Sequence, residues 1–349
     1  VGNNGETLVA DSSASTGLRY QGTMAAGKNA IINGGLDFWQ RGTTGTFSGS
    51  FVYLADRWAN VCTGTAPTCT VSRQTADTAG LQYGVRFGRN SGQTNTGSPN
   101  LITVLETAQS IPYAGKTVVL SFSAKAGANA PNNLTPFITS GTGTDQALGS
   151  FFGGWTGQVT LYNSSISTTT TMTRYSVSVT VPANATQLGV SFYYSPSGTA
   201  GANEWFQIEG VQLEVGLVPT NFTRAGGTIQ GELAACQRYY LRVAGDATNG
   251  GALGVGLATS TTAGQVMTTF PVTLRIAPTA LEQTGTAADY TVRHGSGTTT
   301  CSAVPTVGNV SQYAATTGFT VASGLTAGSG AVLRQSGATV AYLAWSAEL

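Results

Sequence analysis

The feature that most constrains this chain is a two-residue rhythm of apolar and hydroxylated side chains. In RYSVSVTVP, Tyr175, Val177, Val179 and Val181 alternate with Ser176, Ser178 and Thr180. A strand sends successive side chains to opposite faces, so this pattern gives one buried face and one wet face. The period recurs at Val118, Leu120 and Phe122 in TVVLSFSAK and at Leu188, Val190, Phe192 and Tyr194 in QLGVSFYYSP. Alternation, rather than continuous apolar runs, marks antiparallel sheets. Between the runs lie clusters such as GRNSGQTNTGSPN and AGANAPNN, rich in residues that turn the chain cheaply. Strand, loop and strand at short intervals predict an all-β chain built on a jelly-roll β-sandwich.

One segment has helical spacing. GELAACQRYY, from Gly231 to Tyr240, places Leu233, Cys236, Gln237 and Tyr240 on one side, after a Thr-and-Gly entry able to cap it. At 349 residues the chain is longer than one average domain. The helix divides it into a stem or connector (1–29), a jelly-roll domain (30–224), a helical linker (225–240) and a second, smaller C-terminal β-sandwich (241–349). The last would take its strands from VTLRIAP, YTVRHG, GFTVAS and ATVAYLAW.

Two stretches stand out in the jelly-roll region. INGGLDFWQRG reads as its first strand, with Trp39 structural, and Asp56 and Arg57 are expected to brace a buried Trp58, Arg41 serving likewise. In WFQIEGVQLEVG, Phe206 and Ile208 set the apolar face on even numbers, whereas Val211, Leu213 and Val215 continue it on odd ones. A one-residue change of phase predicts a β-bulge at Glu209–Gly210, with Glu209 turned towards an edge and backbone carbonyls exposed.

Charge and chemistry narrow the function. Only 9% of residues are charged and the net charge is +1, so no basic stripe exists to neutralise a run of phosphates, and neither nucleic acid nor an anionic membrane is expected as partner. No window approaches the ~18 apolar residues of a membrane-inserted helix. Four cysteines, at 62, 69, 236 and 301, lack zinc-site spacing, and the chain has one histidine, His294. No catalytic residue, cofactor or enzymatic activity is therefore expected. Cys62 and Cys69, in VCTGTAPTCTV, fit either a bridged hairpin or a reduced apolar pair.

NGGLDFWQRG near the start of the sandwich and FQIEGVQLEVG at its close resemble the first and last strands of jelly-roll carbohydrate-binding modules. The ordered set INGGLDFWQRG, LADRW, EWFQIEGVQLEVG, ELAACQRYY, FPVTLRIAPT and SAEL resembles a family of bacteriophage tail-fibre and virion structural proteins, and NGETLVADSSASTGLRY is similar to a segment of their stems. The resemblance implies a homotrimeric virion appendage, assembled in the host cytoplasm. It would join other tail or baseplate proteins through a portion preceding Val1 and attach to a host-surface glycan. A polysaccharide-degrading tail spike and a purely structural virion component are the alternatives.

It also implies a structural calcium between the opening acid, Asp37, and the acid of the last strand, Glu209, although Gly210 stands where such modules often carry a second Asp. Sugars are held by aromatic faces and by amides. The candidates for glycan contact are Trp155 and Tyr162, set among turn residues, and Tyr193, on the polar parity of its strand. Subunit contact or ordinary packing would account for the same three rings.

Overall fold

In this computed structural model, residues 6–12, 14–22, 28–245, 251–295, 297–337 and 341–349 are described. The chain divides between Leu233 and Ala234 into two compact units. In the first, β1 (Glu6–Ala10) and β2 (Leu18–Gly22) form an antiparallel hairpin closed by an Asp11–Arg19 ion pair at 3.3 Å. Twelve further strands follow: β3 (Thr44–Phe47), β4 (Val52–Tyr53), β5 (Ala59–Thr63), β6 (Cys69–Thr75), β7 (Tyr83–Arg89), β8 (Ser98–Val104), β9 (Thr117–Ala126), β10 (Thr135–Gly141), β11 (Val159–Asn163), β12 (Thr173–Thr180), β13 (Gln187–Tyr193) and β14 (Trp205–Val215). A single helical turn, α1 (Thr107–Ser110), lies between β8 and β9.

These strands make the jelly roll. Its first sheet runs β4-β5-β8-β13-β10-β11 and its second β3-β6-β7-β14-β9-β12, six strands each. Val118, Leu120 and Phe122 from the second sheet meet Leu188, Val190 and Phe192 from the first in one core. Phe122 and Phe192 touch edge to face with centroids 4.6 Å apart, the favoured geometry for two rings. The alternation is cleanest on β12, where Ser176, Ser178 and Thr180 are exposed, because an edge strand has nothing packed on its outer side.

The opening stretch is buried, but it is not a strand. Residues 32–42 form turns, because Asn33 and Leu36 take φ of 57° and 58°, outside the extended region. Turn and β14 are tied by Ala30 N–H donating to Leu213 O and Val211 N–H to Gly34 O, both at 2.8 Å. Trp58 is fully buried and donates its indole N–H to Asn33 O at 3.1 Å, while Arg41 lies over the Tyr53 ring.

On β14, register against β9 shifts between Glu209 and Gln212, the bulge that the change of phase requires. Gly210 has φ of 58°, a conformation glycine adopts without a Cβ penalty. Its carbonyl accepts a 2.7 Å hydrogen bond from Arg174 Nη1. Contrary to the edge placement, the Glu209 side chain is fully buried.

α2 (Ile229–Gln237) is shorter than the periodic segment, since Tyr240 already begins the next strand. Thr228 caps it, accepting Gly231 N–H on its hydroxyl at 3.0 Å and Glu232 N–H on its carbonyl at 2.9 Å. The second unit contains β15 (Tyr240–Ala244), β16 (Ala252–Ala258), β17 (Ala263–Thr269), β18 (Glu282–Gln283), β19 (Tyr290–His294), β20 (Gly297–Val310), β21 (Ala314–Val321), β22 (Gly330–Gln335) and β23 (Tyr342–Ser346). β15-β23-β18 form a small sheet, and β16-β17-β21-β20-β19-β22 close on themselves as a barrel, which leaves that sheet no open edge.

YTVRHG and GFTVAS supply β19 and β21, and ATVAYLAW supplies β23, its first three residues lying outside those described. VTLRIAP, by contrast, forms no strand. Pro271 precedes it and Pro278 ends it, and neither has an N–H to give to a ladder. Leu274 plugs the core, and Arg275 donates Nε to Ala347 O at 2.8 Å and Nη2 to Glu348 O at 2.6 Å.

Candidate functional site

The outer face of the first sheet, away from the sandwich core, is apolar at one end and polar at the other. At the apolar end stand Ala59 and Val61 of β5 and Ile102 and Val104 of β8. The connection between β10 and β11 folds back over them, placing Leu148, Phe151 and Trp155 in a small second core. Gly189 on β13 makes this possible: a Cβ there would lie 2.5 Å from Phe151 Cε2 and 2.9 Å from Trp155 Cη2.

Where the cover stops, a cleft of about 470 Å³ opens. Phe137, Phe152 and Tyr193 give it aromatic surface, and Asn100, Gln158 and Asn163 give it amides, with Thr63, Ser98 and Thr160 adding hydroxyls. The rings are held in place. Phe137 and Phe152 each meet Phe151 edge to face, at centroid separations of 5.5 and 5.2 Å, and the Tyr193 hydroxyl donates to Asn163 Oδ1 at 2.6 Å. Gln158 Nε2 donates to Phe151 O at 2.7 Å and to Thr139 Oγ1 at 3.1 Å, fastening the covering loop to β10. Phe152 is 44% exposed, so one ring stands at the rim with a free face.

No lining side chain carries a charge, and none is a carboxylate. The paired acids of glycoside hydrolysis are thus missing from this cleft. Rings, amides and hydroxyls suit a neutral, hydroxylated ligand with apolar C–H faces, and the volume falls within the ~300–1,000 Å³ usual for small-ligand sites.

The aromatic candidates separate. Tyr193 lines the cleft. Trp155 is 4% exposed, and its indole N–H donates to Ala147 O at 3.4 Å; it packs the covering loop down and offers no face to a ligand. Tyr162 pairs with Ile138, and the register then slips so that Thr139 faces Thr160. That bulge turns Tyr162 onto the inter-sheet core and away from the cleft. Sequence reasoning missed Phe137, Phe152, Asn100, Gln158 and Asn163. For Phe137 a signal existed: in TPFITS it takes the parity opposite to the core residue Ile138.

Asp37 and Glu209 are each committed to protein donors. Arg224 donates Nε to Asp37 Oδ2 at 2.7 Å and Nη2 to Oδ1 at 3.1 Å. This two-point contact outweighs the burial of Arg224 and raises its pKa. Glu209 accepts Asp77 N–H at 3.0 Å, Thr78 N–H at 2.9 Å and the Gln207 amide at 2.7 Å. One acid clamps the opening turn and the other anchors the loop after β6, so the pair does not fit a shared calcium, which needs six to eight oxygens. Among the described residues no group of three or more His, Cys, Asp or Glu is arranged to hold a metal. His294 Nε2 lies 3.0 Å from Thr299 Oγ1 within the β19–β20 hairpin.

No family model and no curated protein matches this sequence. The chain is similar to solved β-sandwiches. One is the enzymatically active domain of tailspike protein 4 of bacteriophage CBA120, at 13% identity and a TM-score of 0.32, covering 54% of this chain and 21% of that one. A CBM4 structure aligns at 16% identity and a TM-score of 0.33, covering 53% of this chain and 99% of that one. TmCBM61 in complex with β-1,4-galactotriose aligns at 10% identity and a TM-score of 0.30, covering 54% and 98%. At these identities and scores, no ligand or activity passes from them to this chain. Among the described residues no helix is long and apolar enough to cross a membrane.

Proposed function

We propose that this protein is a glycan-binding adhesin, a bacteriophage tail-fibre or receptor-binding protein whose first-sheet cleft holds sugars of the host surface. The observation that carries this reading is the cleft lining of three aromatic residues beside three amides, without a charged side chain. Sugar rings stack their C–H faces on aromatic planes, and their hydroxyls exchange water for amide partners. The virion setting rests on the ordered sequence motifs, and the chain's low charge suits a surface that must avoid indiscriminate attachment. Assembly as a homotrimer would raise a weak single-site affinity by ~10²–10⁴-fold where several clefts engage together.

The function is retention rather than turnover. The test is an array of bacterial surface polysaccharides probed with the labelled full chain, with reducing ends measured in parallel. Binding without release of new reducing ends is expected. Release of reducing ends would make the protein a depolymerase, and absence of binding to any polysaccharide would leave it a structural virion component.

A further inference from the structure

We propose that Cys62 and Cys69 are an oxidation site, forming a disulfide that joins the two sheets of the jelly roll one strand in from their edges. Cys62 lies on β5 of the first sheet and Cys69 opens β6 of the second. Both are buried in the inter-sheet core. Their sulfurs stand 3.1 Å apart, which is about 1 Å longer than the ~2.05 Å of a disulfide and closer than two sulfurs that merely pack. The surroundings hold them there. Cys62 N–H donates to Ser48 O at 2.7 Å, and Cys69 sits in β-ladder register with Phe47 on one side and Arg89 on the other. Only residues 63–68 separate the two, so closing the bond needs rotation of side chains and no rearrangement of strands.

The oxidant is a small-molecule disulfide. One cysteine thiolate attacks the reagent's S–S bond, forming a mixed disulfide and releasing one reagent thiol. The second cysteine then displaces the other reagent thiol and completes the Cys62–Cys69 bond. Two protein thiols lose two protons and two electrons, and the reagent's broken disulfide leaves as two thiols. The neighbouring Cys62 thiol, together with burial, pushes the Cys69 thiol well up from its ordinary range, so thiolate is scarce at neutral pH and closure accelerates as pH rises. The next residue along β5, Thr63, lines the cleft, so the bond would also fix that wall; the proposal itself does not depend on what the cleft binds.

The test uses the full chain and oxidised glutathione at about pH 8.5, followed by denaturation, alkylation and tryptic digestion without reduction. Cleavage after Arg57 and Arg73 places both cysteines in one peptide, 58–73. The expected result is that this peptide is lighter by two hydrogens and takes up no alkylating reagent. The thermal midpoint of the oxidised protein should rise by about 5–10 °C, reversibly with reductant, as closing a short loop implies. Cys62→Ser and Cys69→Ser should each abolish that rise. Recovery of the peptide with both thiols alkylated, or carrying glutathione instead of an internal bond, would overturn the proposal. The mass measurement needs no variant to fold.

Discussion

Glu209 offers the sharpest test of how the sandwich is pinned. Its carboxylate is fully buried and accepts three hydrogen bonds, two from the backbone of the loop after β6 and one from Gln207. Glu209→Ala would leave those two N–H groups and the amide without their acceptor. At ~1–2 kcal/mol for each backbone donor and ~1 kcal/mol for the amide, the loss is about 3–5 kcal/mol. For a domain of this size ~1 kcal/mol shifts the midpoint by ~2–4 °C, so thermal denaturation followed by far-ultraviolet circular dichroism should show a fall of roughly 6–20 °C. Glu209→Gln keeps one acceptor oxygen but turns an amide N–H towards a donor, and should lose about half as much. Chelator should leave the wild-type midpoint in place. A fall below about 2 °C in the alanine variant would refute the anchoring role, and a midpoint raised by calcium in wild type but not in Glu209→Gln would make the carboxylate a cation ligand.

Other expectations follow from the same geometry. Glu204 receives Arg89 Nε at 2.6 Å and Nη2 at 2.7 Å in a buried pair, so Glu204→Ala strands a buried guanidinium and should cost about 3–5 kcal/mol in urea unfolding, with little dependence on salt. Gly189→Leu should push Phe151 and Trp155, and the covering loop that carries them, off the sheet, seen as a red shift of tryptophan emission. Burial raises the Glu232 pKa in spite of backbone hydrogen bonds from Gly226 and Asn33. A raised folded-state pKa contributes stability that is present below the unfolded value of 4.5 and lost as pH climbs through the folded one. Glu232→Gln should therefore gain on wild type at pH values above that transition, and the difference should shrink towards acid, as measured by thermal midpoints across pH.

Much of the fold was legible because it is written in a local code. The alternation in RYSVSVTVP and QLGVSFYYSP states both strand and buried face, and the change of phase at Glu209–Gly210 states a bulge. The opening turn was not legible in that code, since Asn33 and Leu36 adopt positive φ and Asn33 is held by donating to Asp56 O and to the Glu232 carboxylate, partners far away in sequence. The site was legible at Tyr193, where parity against Phe192 and Tyr194 suffices, and the same parity argument applied to TPFITS would have found Phe137. Trp155 misleads because its Gly-rich neighbourhood resembles a loop tip, whereas the room for its ring over the sheet is made elsewhere in the chain, at Gly141 and Gly189. Tyr162 misleads because the bulge in β11 has no local signature comparable to Gly210. Asn100 on β8, Gln158 in the covering loop and Asn163 on β11 converge only once β13 and β10 have paired between those two strands.

The measurement that bears most directly on the cleft is calorimetric titration of a bacterial surface oligosaccharide into wild type, Tyr193→Ala, Phe152→Ala and Tyr313→Ala. The last removes an exposed ring in the second unit. Wild type and Tyr313→Ala should bind alike, and both cleft variants should weaken by about tenfold or more, ~1.4 kcal/mol, with unchanged thermal midpoints. Equal affinity in all four proteins would contradict the assignment of the cleft as the sugar site.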